Sequence, residues 1–175
     1  MLTLADGRTR VDVTLTMPEG YDEGDFAEPL ELTLTDLTAL IDATCQINKP
    51  DYRLSASASD TVPDQPLCRS GNATTFGNSN YEGTVTVLRE LDETGHVDAA
   101  EDTLFTAIGE KGVMAYFVER IGPKATVALA EGDEGWIYEA LTDEPQEPSD
   151  RSGYVKNIVP LGIQSRRRFA IVAGP

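Results

Sequence analysis

Apolar and polar residues alternate with a period of two through most of this chain, the spacing of strands that bury one face. Across residues 10–17 the set Val11, Val13, Leu15 and Met17 points one way, and Arg10, Asp12, Thr14 and Thr16 point the other. Leu30, Leu32 and Leu34 repeat the alternation in 30–35. Further strands are predicted at 44–48, 52–59, 82–91, 113–120, 125–130, 136–142, 154–162 and 163–172. In 82–91 the inward positions are Val85 and Val87, with Thr84, Thr86 and Glu90 outward.

Helical spacing is convincing in one place. Asp98 is suited to an N-cap, with Glu101 three residues on as its capping-box partner. Ala100, Leu104 and Ile108 share a face with Phe105 beside them, and Gly112 is placed to end the turn. These positions predict one helix over about 98–111, with an apolar stripe made to lie on a sheet. Two long stretches carry neither period. Residues 18–29 run to six acids by Glu31 with no base and read as a solvated loop. Residues 60–81, rich in Pro, Gly, Asn and Ser, read as a second loop, and loops of that length are usually functional or disordered. The whole points to a single domain over residues 1–175, mainly β: an antiparallel β-sandwich or partly rolled barrel with one α-helix packed on it.

A length of 175 residues suits one domain with an ordinary core. No apolar run approaches the roughly 20 residues of a membrane helix, so no membrane partner is expected. Charges fall within the first ten residues, which never build the apolar stretch of a signal peptide. Cys45 and Cys68 are too few and too far apart for a disulfide framework or a metal knuckle. They read as free thiols, with a bridge between them left open.

The net charge is −16, from 14 basic and 30 acidic side chains. All 30 acids lie at or before Asp150 with 9 bases, a net −21, whereas 151–175 hold Arg151, Lys156, Arg166, Arg167 and Arg168 and no acid, a net +5. Such an acidic body lacks the basic footprint of a nucleic-acid binder.

Most catalytic devices fail on residue type, although the abundant paired carboxylates leave glycoside hydrolysis open on that criterion. The only histidine, His96, sits in the turn DETGH with no GxSxG elbow to serve. Glycines are scattered singly, so neither a phosphate-cradling loop nor a dinucleotide fingerprint is present. No metal, no cofactor and no enzymatic activity are expected. The acidic runs at 131–135 and 21–25 offer oxygen ligands but do not follow an EF-hand, and they read as solvated turns.

The stretch LCRSGNATTFGNSNYEG at 67–83, DTV before it, DAAED at 98–102, EKG at 110–112, ERIGPKA at 119–125 and YVKNIVPLG at 154–162 together resemble the major tail, or tail tube, proteins of long-tailed, siphovirus-like bacteriophages of actinobacterial hosts. The similarity is carried by residues 52–164 and is looser over 1–50. It implies a non-enzymatic virion protein, assembled in the host cytoplasm, that stacks as hexameric rings into the tube through which the genome is delivered. It also implies a tape-measure protein, a tail terminator and distal tail proteins as partners, and DNA that passes through without specific binding.

Residue chemistry supplies candidates for those contacts. Phe76 and Tyr81, among Asn72, Asn78 and Asn80, combine aromatic anchors with adaptable polar groups, as interfaces do. In IQSRRRFAIV, Arg166 and Arg168 share one strand face and Arg167 the other. A basic strip on an acidic chain suits the acidic surface of another copy, a heterologous contact that closes rings or extends filaments. Glu90, Asp92, Glu131, Asp133 and Glu134 are candidates for an acidic lumen or surface, along which DNA would slide without sticking. A second reading is a carbohydrate- or receptor-binding β-sandwich of a virion or cell surface, with Trp136 and Tyr138 as a possible platform.

Overall fold

The computed structural model describes residues 7–62 and 75–174. Its strands are β1 (Thr9–Thr14), β2 (Leu30–Leu32), β3 (Ile41–Asp42), β4 (Arg53–Ser57), β5 (Thr61–Val62), β6 (Thr75–Phe76), β7 (Asn80–Leu88), β8 (Met114–Ile121), β9 (Glu134–Thr142) and β10 (Lys156–Ile171), with one helix, α1 (Thr103–Ile108), and a 3₁₀ turn at Lys49–Asp51. Seven strands lie in the order β3-β1-β8-β9-β10-β7-β4, and β2 joins β10 as the eighth. Neighbours are antiparallel except β2 and β10, which pair through Leu30 and Phe169 in parallel. Strands β5 and β6 form a separate two-stranded arm.

The sheet curls without closing. In a flat sheet, strands about 4.8 Å apart would leave β4 and β8 about 19 Å from each other. Yet Tyr52, next to β4, donates its hydroxyl to Glu119 of β8 at 2.5 Å. Tyr138 of β9 likewise donates to the Leu54 carbonyl of β4 at 3.2 Å. The edge strands β3 and β4 do not pair with one another. The result is the mainly antiparallel, partly rolled architecture with a lone helix that the alternation predicted.

Strict alternation in β8 and β9 sends side chains to both faces, and both faces are covered. Val11, Val13, Val85, Val87, Phe117 and Val159 pack on the concave side with Leu104 and Ile108 of α1. On the convex side Tyr116, Val118, Ile137, Phe169 and Ile171 pack against Tyr21, Leu30, Leu32 and Leu37. Burying a side chain of this size contributes about 1.5–3 kcal/mol, so the second layer adds materially to the fold.

That second layer accounts for several departures from the sequence pattern. The acidic 18–29 segment is no free loop, because Tyr21 is buried at 1% exposure and its hydroxyl bonds to Ser165 Oγ at 2.8 Å. The polar face of β1 is buried too: Arg10 bonds to Asp12 at 2.6 Å and reaches Asp42 at 3.0 Å. Residues 125–130 form no strand. The carbonyls of Pro123, Lys124, Ala125 and Val127 accept instead from Arg120 and Arg10.

Other elements differ in extent. Asp98 closes a tight turn, receiving the Asp102 amide on its carbonyl, so the helix begins only at Thr103. Asp102, at its start, is committed to Arg89 at 2.7 Å and does not cap. Gly112 lies beyond the helix in a turn with φ 86°. The two strands expected over 154–172 are one, bent by a bulge between Ile163 and Ser165. Thr86, expected outward, is buried at 1% exposure. Of the 44–48 segment, only Ile47 bridges to the sheet, at Val87.

Candidate functional site

The mouth of the concave face gathers the residues with the most distinctive chemistry. Glu119 and Trp136 are register partners on β8 and β9, and Arg168 and Trp136 are partners on β10 and β9. Arg166 lies over the Trp136 ring, its guanidinium carbon 3.4 Å from the centroid, and 5.6 Å from that of Tyr138. Stacking of this kind is worth about 0.5–2 kcal/mol. It also occupies one face of the indole that a sugar platform would need.

Glu119 is 8% exposed. Burial pushes its carboxyl above the ordinary range, against the Tyr52 hydrogen bond and the Arg166 charge, which hold it down. Tyr52 is driven well above its ordinary value, first by burial and then by Glu119. Burial and Glu119 likewise push Tyr138 up to about 12. Beside this cluster opens a cavity of about 360 Å³ whose walls include Val11, Ile47, Tyr52, Glu119, Ile121 and Ala125.

The β5–β6 arm leaves the sheet beyond β4 and β7. Asp60 and Gly77 close its base, with the Gly77 amide on the Asp60 carbonyl at 2.7 Å, and the Asn80 side chain bonds to Ala58 and Asp60. Phe76 stands 72% exposed on it. Asn78 is exposed, whereas Asn80 and Tyr81 are half-buried. Asn72 lies outside the described residues, as does Cys68. Cys45 is a free, exposed thiol.

The three arginines of β10 divide as the alternation requires but not as an interface strip requires. Arg166 stacks on Trp136, and Arg168 is exposed beside Glu134 at 3.9 Å. Arg167 is corrected as a contact candidate: it is 4% exposed and donates to the carbonyls of Gly20, Tyr21 and Glu23 at 2.6–2.9 Å. Its charge fastens the acidic 18–29 segment of its own chain.

The acidic candidates fall into two groups. Glu90 and Asp92 follow β7 near the start of β10, while Glu131 and Asp133 precede β9 and Glu134 begins it, near the end of β10. The strand between them has 16 residues, about 50 Å if fully extended, so the groups belong to opposite ends of the sheet. Asp133 is corrected as a free surface carboxylate, because it is 8% exposed and pairs with buried Arg120 at 3.0 Å. Glu90, Asp92, Glu131 and Glu134 are exposed.

Residue patterns alone missed the Glu119, Tyr52 and Trp136 cluster, since Tyr52 meets Glu119 only when the sheet curls. Among the described residues no group of three or more His, Cys, Asp or Glu is arranged to hold a metal ion. No helix among them is long and apolar enough to cross a membrane.

No curated protein matches the chain. A family match does: an antiparallel β-sheet domain with an exposed aromatic arm is matched over residues 1–174 by the family described as phage tail tube protein, and the chain belongs to that family.

Proposed function

We propose that this chain is the repeating subunit of a tail tube, assembling into stacked hexameric rings whose channel conducts the genome into the host cell. The observation that carries this reading is the family match across residues 1–174, which makes a structural role in a phage tail the frame for every other feature. The exposed Phe76 arm supports self-association, because a large aromatic side chain held out of its own domain is the usual anchor of an interface.

In this reading a tape-measure protein fills the channel during assembly, and a tail terminator and distal tail proteins bound the tube. Assembly takes place in the host cytoplasm, and the virion belongs to the siphovirus-like phages of actinobacterial hosts. The exposed carboxylates Glu90, Asp92, Glu131 and Glu134 contribute to the net −16 of the chain. An acidic channel repels phosphates and lets DNA slide.

Negative-stain microscopy of the purified protein tests the proposal. Rings or tubes of uniform diameter, with sixfold end views, are expected, and Phe76→Asp is expected to prevent them. A protein that remains monomeric at high concentration in both low and high salt overturns it.

A further inference from the structure

We infer that the turn at residues 90–98 is the docking surface for the loop at residues 121–130 of a second copy, so that subunits join end to end. The inference rests on the self-association proposed above and names one of its contacts.

Three observations carry it. The first is apolar surface shared by neighbouring turns. Leu91 and Val97 are bridge partners at the base of the 90–98 turn, and both stand exposed. The Arg89 amide donates to the Val155 carbonyl at 2.8 Å, which brings exposed Val155 alongside, with Tyr154 next to it 79% exposed. Apolar residues scattered singly over a surface are ordinary, but a contiguous group rimmed by charge marks a surface that another molecule covers.

The second is charge. Residues 90–98 hold Glu90, Asp92, Glu93 and Asp98 and no lysine or arginine. Residues 121–130 hold Lys124 and no acid, and Arg8 lies against them, donating to the Gly122 carbonyl at 3.1 Å. Ile121 and Val127 of the same loop are exposed, Ile121 at 61%. Each surface combines apolar side chains with one sign of charge, and the two signs are opposite. Copies with a net charge of −16 repel one another, so the least opposed approach sets the basic loop on the acidic turn.

The third is position. Leu88, at the end of β7, pairs with Lys156 at the start of β10, whereas Arg120 pairs with Gly135, and Gly135 with Phe169 near the end of β10. The turn and the loop therefore belong to opposite ends of the sheet and cannot meet within one chain. Two different surfaces make a heterologous contact, and with one at each end it runs on as a stack.

Charge reversal tests the contact, with assembly read by sedimentation velocity. Lys124→Glu and Glu93→Lys each change an exposed side chain. Either alone is expected to raise the concentration needed for assembly about tenfold, because like charges brought together oppose docking. Both in one chain restore an opposite pair and are expected to return that concentration to within about threefold of the parent value. Val97→Ser, which changes no charge, should raise it about tenfold, the loss of one buried valine. Parent-like assembly of any single variant, or a double variant no better than the two charge reversals alone, overturns the end-to-end contact while leaving the tube reading intact. Failure of the unsubstituted protein to form any higher oligomer overturns both.

Discussion

The Tyr52 hydroxyl donates to the Glu119 carboxylate at 2.5 Å, joining the segment beside the outermost strand to a strand four places away in the same sheet. The bond spans the open side of the half-barrel, where no backbone ladder holds the edges together. Tyr52→Phe keeps the ring and removes the one donor that a described residue gives to this buried carboxylate. Leaving such a group unsatisfied costs about 1–3 kcal/mol, so a lowered urea midpoint with an unchanged slope is expected for the unassembled protein. An unchanged midpoint would mean that this bond contributes nothing to holding the curl.

The same carboxylate sets a pH dependence. Its folded pKa lies above the ordinary value of 4.5, chiefly through burial. Between those two values the folded chain keeps a proton that the unfolded chain has released. Stability from this group is therefore greatest below the ordinary carboxylate range and is lost as pH rises through the folded value. Glu119→Gln accepts from Tyr52 with no charge to bury. Its stability relative to the parent should rise as pH climbs above the ordinary value of 4.5, and denaturation curves at several pH values would show a constant difference if the carboxyl were unshifted.

Much of this fold was legible in the alternation of β1, β7, β8 and β9, because a period of two places Val11 with Val13 and Val85 with Val87 whatever their partners are. What covers the other face was not legible. Arg10, Asp12 and Thr14 read as solvent-facing, yet they are buried under segments distant in sequence. The arginine of 166–168 that turns inward, Arg167, finds backbone carbonyls roughly 145 positions earlier in the chain. Pattern gives the phase of a strand, but only tertiary contact decides whether a polar phase meets water. The exposure of Phe76 agrees with its polar, turn-rich surroundings in the sequence.

Arg120 and Asp133 form the pair that fixes the 122–133 connection, with Arg120 1% exposed and also donating to the carbonyls of Pro123 and Lys124. Asp133→Asn keeps the shape and strands a buried guanidinium without its counter-charge. Breaking such a pair costs about 3–5 kcal/mol. The variant should unfold at lower denaturant and be cut by trypsin after Lys124 faster than the parent. Parent-like resistance would show that the carbonyl contacts alone hold the loop.

Tyr21 anchors the acidic 18–29 segment, packing edge-on against Tyr116 with ring centroids 5.4 Å apart and bonding to Ser165. Tyr21→Ala should destabilise by about 3–5 kcal/mol, the range for deleting a buried aromatic side chain. Tyr21→Phe should cost about 1 kcal/mol, the worth of one hydrogen bond. Chemical denaturation of the two variants separates packing from bonding. Equal losses would mean that the hydroxyl carries the whole effect.

Gly135 tests how closely β8 and β9 approach beneath the Glu119 and Trp136 cluster. A Cβ built there would stand 1.9 Å from the Glu119 carbonyl oxygen and 3.0 Å from the Phe169 ring. The oxygen belongs to the backbone of a central strand and cannot swing away as a side-chain tip would. Gly135→Ala must therefore separate two strands that the register Arg120 with Gly135 holds together, and it should destabilise by about 3 kcal/mol or more, the upper end for overpacking. Gly132→Ala is the control: its Cβ meets open space, and only its φ of 85° is strained, a cost of about 1–2 kcal/mol. Equal stability of the two variants would show that the strands part without penalty.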